Sequence, residues 1–270
     1  MDVYNASAAG TGYIATYDPC SKKVIRLTAS GFKSPRGLSP FSMDVVPSTR
    51  NPLEFTIYLI NMRPPFVSLD ETLPPSIRDE IASARAKKEG PDPSIEMFRY
   101  VLGSDSMQHV ATWADEDAVI FPGGVVGLPD MEGFWFTNMY PCKAGAVRFA
   151  RLKCSRPLVL IHFCLTQPNC PWAQLQPNPF SIGFCGIDGC EFAATGLEGV
   201  NGITRSPFYS NTTFYVGRPW VDGLSLFTRQ PDNKLLFDEH LDTGERASNY
   251  AHMAVFRDVS EPSQRAVLTT

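Results

Sequence analysis

The chain reads as all-β, a β-propeller of four-stranded antiparallel blades with one inserted helix, and three observations carry that reading. Short segments rich in β-branched and aromatic residues recur along the chain, punctuated by Gly, Pro, Asn and Asp. They fall into groups of four, and four-stranded groups repeated around an axis are the pattern of propeller blades. The composition agrees: 23 prolines in 270 residues oppose a largely helical chain, while 43% hydrophobic residues, 18 of them Phe, supply a core. A β-sandwich is the competing architecture.

Taken in order, "GYIATYD" and "KVIRLTAS" form a hairpin around "PCSK". "SMDVVPS" and "FTIYLIN" follow, then "IEMFRYVL" and "QHVATW" joined by "GSDS". "GVVGLPD" and "GFWFTN" open the next group, and "SIGFCGID" and "CEFAATG" continue it after an irregular stretch. "NGITRS", "TFYVG", "LSLFTRQ" and "LLFDEHL" make a further group, with "PDNK" turning between the last two. "YAHMAVF" is one strand of another. One helix is expected over Ser76–Lys88, started by the Pro-Pro before it, with Ile77, Ile81 and Ala84 on one face. This gives two strands of an opening blade, three fuller blades and a single later strand: one propeller domain over residues 1–270, incomplete as a ring. Phe149–Pro179 holds three cysteines, several prolines and no strand period, and is expected to be an insertion or lid loop.

Several function classes are disfavoured. A net charge of -4 provides no basic field for nucleic acid. The most apolar stretch, Arg156–Leu165, is too short to span a membrane. No Gly-rich phosphate loop, HxxxH, CxxC or Gly-x-Ser-x-Gly arrangement is present. The opening "MDVYNASAAG" is not a signal peptide. Seven cysteines and two glycosylation sequons, at Asn5 and Asn211, favour the secretory pathway for the full-length protein. Cys185 and Cys190 flank "GIDG" and are expected to form a disulfide, with Cys164 and Cys170 the next local pair. Of the four histidines, His109 and His162 read as having no partner.

The blocks "KVIRLTASGFKSPRGLSPFSMDVVPS", "FTIYLINMRPP", "DPSIEMFRYVLGSDSMQHVATW", "VVGLPDMEGFWFTN", "SIGFCGIDGCEFAATGLEGVNGI" and "TFYVG", in that order, resemble the fungal branch of the paraoxonase/arylesterase family. The resemblance implies a six-bladed propeller with calcium in a central tunnel and a lactone or ester bound over it. It also implies Asn-Asp where this chain has Gly123-Gly124, histidines at Phe41 and Met62, and Asp-Asn at Ser248-Asn249, while Asn201 is kept. Two neutral amides, Asn201 and Asn249, do not replace the carboxylates that calcium requires.

The functional expectation that follows is a non-hydrolytic enzyme of fungal secondary metabolism, a cyclase or pericyclase acting on an apolar small molecule without a cofactor. Similarity to hetero-Diels–Alderases of tropolone–sesquiterpene pathways implies cycloaddition of an o-quinone methide with a macrocyclic alkene. Arg63, Tyr140, Asn201, Arg218 and Asn249 are the expected donors, and Phe41, Met62 and Trp220 the apolar walls. Gly123 and Gly124 make room for the substrate. Alternatives are a calcium-dependent lactonase or arylesterase, and a ligand-binding pseudoenzyme. Each residue also has a plainer role: a tight turn at the glycines, core packing at Phe41 and Met62, capping at Asn201, and pairing of Arg63 with a carboxylate.

Overall fold

The computed structural model describes residues 10–65, 72–139, 161–165, 190–194, 197, 200–206, 212–218, 223–242, 254–257 and 266–269. Contacts divide the chain into two compact units, Met1–Phe121 with Tyr140–Arg156, and Pro122–Met139 with Pro157–Thr270.

In the first unit, β1 (Ala15–Asp18) and β2 (Lys23–Arg26) form the expected hairpin around Lys22, which takes a positive φ. The expected strand "KVIRLTAS" is divided in two. β3 (Thr28–Ser30) leaves the hairpin after buried Leu27. The main sheet of the unit is an antiparallel meander of β4 (Pro40–Pro47), β5 (Glu54–Arg63), β6 (Asp92–Val101) and β7 (Ser106–Trp113). β3 joins its outer edge, parallel to β7. The helix α1 (Pro75–Glu89) is inserted between β5 and β6, one residue longer at each end than its sequence predicts, and stops at Gly90 with a φ of 78°. Its expected apolar face is not the buried one. Ile77 and Ile81 are exposed, and Ala86 is buried instead.

The face that β5 and β6 share grades from polar to apolar, because directly opposite residues lie on the same side of a sheet. Its rungs are Arg63 opposite Asp92, Asn61 opposite Ser94, Leu59 opposite Glu96 and Ile57 opposite Phe98. The apolar end forms a core with Leu27, Leu38, Tyr100 and Met107, onto which Phe32 packs. The polar end becomes the site described below.

The second unit contains two four-stranded antiparallel meanders. One is β8 (Pro122–Gly127), β9 (Gly133–Asn138), β10 (Ile161–Leu165) and β11 (Cys190–Ala194). β10 is a strand inside the stretch expected to be an irregular loop. The apolar run "LIHFCL" pairs with β9 on one side and β11 on the other, so tertiary pairing supplies the order that its sequence period lacks. The other meander is β12 (Ile203–Arg205), β13 (Thr213–Arg218), β14 (Gly223–Arg229) and β15 (Leu235–Asp242). A separate pair, β16 (Ala254–Arg257) and β17 (Ala266–Thr269), lies towards the C-terminal end, its second strand unforeseen.

The two four-stranded sheets share a core of Trp135, Phe214, Val216, Phe227 and Ile203. Trp135 is fully buried, lies tilted against Phe214 with ring centroids 4.8 Å apart, and donates its indole N–H to the Asn233 carbonyl at 3.0 Å. Arg229 covers its ring at 5.0 Å and is itself held by the Asn233 side chain. Asn233 takes a positive φ at the "PDNK" turn, a conformation Asn tolerates better than most residues. One turn residue therefore anchors both the ring and the cation. Cys185 and Cys170 lie outside the described residues. The register places Cys190 directly opposite Cys164.

Candidate functional site

The polar end of the β5–β6 face opens into a cavity of about 390 Å³. The loop from Gly31 to Arg36 forms one wall, and Arg63, Glu96, His109 and Thr112 form the other. The loop is bracketed by Gly31 and Gly37, both at positive φ. Gly37 is further obliged to be glycine, because a Cβ there would lie 2.1 Å from the Gly10 carbonyl oxygen. Buried Asn61 ties the far end of the loop to β5. Its amide oxygen accepts the Ser39 N–H at 2.7 Å, and its NH2 donates to the Gly37 carbonyl.

Glu96 is the centre of the site. It is fully buried, and all its acceptor capacity is directed at side chains. Oε1 accepts from Ser94 Oγ at 2.6 Å and from Asn61 Nδ2 at 3.4 Å. Oε2 accepts from Thr112 Oγ1 and from His109 Nε2, the latter at 3.1 Å. A carboxylate only accepts, so Nε2 carries a proton, and in the neutral imidazole the lone pair is then on Nδ1. Nδ1 makes no hydrogen bond to any described residue. The ring is clasped edge-on by Phe32 and Phe98, each at 5.2 Å. Its side chain is 16% exposed, on the cavity wall.

A β-bulge makes this arrangement possible. Thr112 lies opposite Glu96, and His109 lies opposite Phe98, two residues further along β6. In a regular strand, positions 109 and 112 would point to opposite faces. Ala111 pairs with Met97 and His109 with Phe98, so Val110 is the extra residue. It stands exposed, and its insertion brings His109 onto the side that carries Glu96 and Thr112. The expectation that His109 has no partner is thus corrected. No sequence spacing shows the bulge, and the acid lies 13 residues away on the neighbouring strand.

Cations stand on both walls of the cavity. Arg36 Nη1 donates to Asp92 Oδ2 and to the Pro64 carbonyl. Arg63 donates from Nε to the Asp92 carbonyl at 3.0 Å and from Nη2 to Asp92 Oδ2 at 3.3 Å. Lys33 is exposed on the loop. Burial, and then the charge of Arg36, holds Arg63 below the ordinary arginine pKa, with Asp92 and Glu96 opposing. Arg63 is therefore both an expected donor and, as its plainer reading had it, the partner of a carboxylate.

The remaining expected residues are placed elsewhere. Met62 is buried on the face opposite Arg63, as strand alternation requires, and does not line this cavity. Phe41 is half-buried in β4 beside a register shift. Gly123, Gly124 and Asn201 meet in the second unit. A Cβ at Gly123 would lie 2.6 Å from Met139 Cγ and 2.7 Å from Asn201 Oδ1. One at Gly124 would lie 2.6 Å from the Ile203 backbone nitrogen. The glycines hence admit neighbouring protein, not a bulkier ligand. The Gly124 N–H is satisfied by Thr137 Oγ1, which itself donates to the Asn201 carbonyl. Arg218, on β13, donates to Ser225 Oγ at 3.4 Å. Tyr140, Trp220, Asn249, Asn5 and Asn211 lie outside the described residues.

These residues do not fit the calcium that the paraoxonase resemblance implies. The space the family's Asn-Asp pair would need is filled by Met139, Asn201, Gly202 and Ile203. Among the described residues, no group of three or more His, Cys, Asp or Glu could hold a metal ion. None of the described helices is long and apolar enough to cross a membrane.

No family model matches the chain, and no curated protein matches it. Among solved structures it is similar to a candidate 6-phosphogluconolactonase from Bacteroides uniformis, at 12% identity and a TM-score of 0.36, over 85% of this chain and 63% of that one. A second, from Bacteroides fragilis, is 13% identical with a TM-score of 0.34, over 85% of this chain and 65% of the other. A protein from Lactobacillus plantarum is 8% identical with a TM-score of 0.34, covering 96% and 76%. The chain spans less than two thirds of the length of the first two. At such similarity the chemistry has to be read from the residues themselves.

Proposed function

We propose that the cavity is the active site of a hydrolase for small esters or lactones, with His109 as general base. The observation that carries this is the His109–Glu96 dyad: a fully buried carboxylate bonded to Nε2, leaving Nδ1 without a described partner on a cavity wall. A base so oriented removes a proton from water as the water oxygen bonds to the acyl carbon. Glu96 stabilises the imidazolium that forms. The carbonyl electron pair moves onto oxygen, giving an anion that the field of Lys33, Arg36 and Arg63 favours. The acyl–oxygen bond then breaks, and the imidazolium returns the proton to the leaving alkoxide. In this reading the meanders are blades of a six-bladed propeller.

The cyclisation reading draws on an apolar pocket, and the described cavity is edged by three cations and a dyad, which suit a developing negative charge better than a hydrocarbon. The hydrolytic alternative is kept, with the calcium replaced by protein groups. The test is a panel of aryl esters and aliphatic lactones assayed with and without chelator. Turnover of at least one, unchanged by chelator, is expected. Turnover abolished by chelator and restored by calcium would return the metal-dependent mechanism, and cyclised product without hydrolysis would return the pericyclic one.

A further inference from the structure

We infer that Arg36 and Arg63, which meet at Asp92, form an anion subsite, so that the substrate carries a carboxylate or phosphate group besides its scissile bond. The placement beside the base rests on the hydrolytic reading, but the subsite itself is argued from different residues. Two guanidinium groups converge on one carboxylate oxygen, Asp92 Oδ2. Each still has donors to spare. Arg36 uses only Nη1, leaving Nε and Nη2 without an acceptor among the described residues. Arg63 uses Nε and Nη2, leaving Nη1 likewise.

These donors are held in position. Arg63 is 9% exposed in its side chain and fixed at two points on Asp92, once through the backbone carbonyl. Arg36 is 20% exposed and is fixed at Asp92 and the Pro64 carbonyl. A guanidinium already immobilised loses little further entropy on binding an oxyanion, and its planar fork matches carboxylate and phosphate oxygens. The charge balance agrees. Burial lowers the affinity of Arg63 for its proton most, and the charge of Arg36 lowers it further, against the pull of Asp92 and Glu96, so the two guanidinium groups still crowd each other. An anion placed there relieves that crowding. Lys33, exposed on the loop that carries Arg36, adds a third cation.

The fork can only be used by a group small enough for a cavity of about 390 Å³ that must also admit the ester. This excludes polyanions such as nucleic acid and favours a single anionic substituent on a small molecule.

The test has a binding arm and a kinetic arm. Inorganic phosphate and acetate are titrated calorimetrically into the wild-type protein and into Arg36→Ala and Arg63→Lys, the latter keeping a charge on β5 in case removal of the buried side chain unfolds the protein. Saturable binding of at least one anion is expected, weakened at least tenfold in Arg36→Ala. Which anion binds more tightly distinguishes phosphate from carboxylate. In the kinetic arm, a neutral lactone is compared with the same lactone bearing that anion. The charged substrate is expected to have at least a tenfold higher kcat/KM, and Arg36→Ala to remove most of the difference. Binding of neither anion, or equal binding in Arg36→Ala, overturns the subsite. If the neutral lactone is hydrolysed with no preference for the charged one, the base at His109 stands and the subsite fails. Anion binding without any hydrolysis leaves the subsite and removes the hydrolytic reading.

Discussion

Glu96→Ala is expected to destabilise the first unit strongly and to abolish its activity. Four side-chain donors, from Asn61, Ser94, His109 and Thr112, converge on this buried carboxylate, and Ala leaves all of them without it. Leaving a buried polar donor unmade costs about 1–3 kcal/mol. The loss here is put at about 4 kcal/mol. For a chain of this size that lowers Tm by roughly 10 °C. Glu96→Gln keeps an acceptor for Ser94 and Asn61 but turns an NH2 towards His109 and Thr112, which are donors themselves. It should recover part of the stability and little of the activity. Thermal unfolding of the three proteins checks the order. Equal Tm values for wild type and Glu96→Ala would show that the cluster contributes nothing to the fold.

Gly124→Val is expected to damage the second unit, without any role in chemistry. The first added atom would sit 2.6 Å from the backbone nitrogen of Ile203 and 3.0 Å from Gly202 Cα. Backbone cannot yield as a side chain can, so β8 and β12 must separate. Overpacking of this kind costs about 1–3 kcal/mol, and the two further methyl groups of Val place it at the upper end, about 3 kcal/mol. The Thr137 hydroxyl that bridges the Gly124 N–H and the Asn201 carbonyl would be displaced as well. Restoring Asn-Asp at Gly123 and Gly124 should therefore destabilise the protein before it creates any metal site. Unfolding in urea reads this as a lower midpoint with an unchanged slope. An unchanged midpoint would mean that the two strands have room to part.

Much of the fold was legible because its signals are local. The β-branched and aromatic residues of "FTIYLIN" and "SMDVVPS", the "GSDS" and "PDNK" turns and the Pro-Pro before α1 each mark an element within a few residues. What could not be read was non-local. β3 is a strand because β7 lies beside it, and β10 because β9 and β11 flank it. The exposure of Ile77 and Ile81 is likewise a matter of where α1 packs, not of its period.

The site was less legible than the fold. Arg63 was expected as a donor and its neighbour Met62 as an apolar wall of the same pocket, but strand alternation turns Met62 to the other face. Glu96 drew no notice, since an acid on an apolar strand carries no motif. His109 acquires its partner through one extra residue, Val110, which changes the face of everything before it on β7. The doublet Gly123-Gly124 was rightly seen as unusual, yet its cause is the close approach of Gly202 and Ile203.

The most direct measurement is the steady-state hydrolysis rate of His109→Gln beside wild type, on whichever ester or lactone the panel identifies. Gln can still donate to Glu96 from its amide and is close in size, so the fold should be kept, as circular dichroism and Tm would show. It has no ring nitrogen with a lone pair to take a proton from water. The account predicts a fall in kcat of about 10²–10⁴-fold with KM little changed. Undiminished kcat in a folded His109→Gln protein would contradict it.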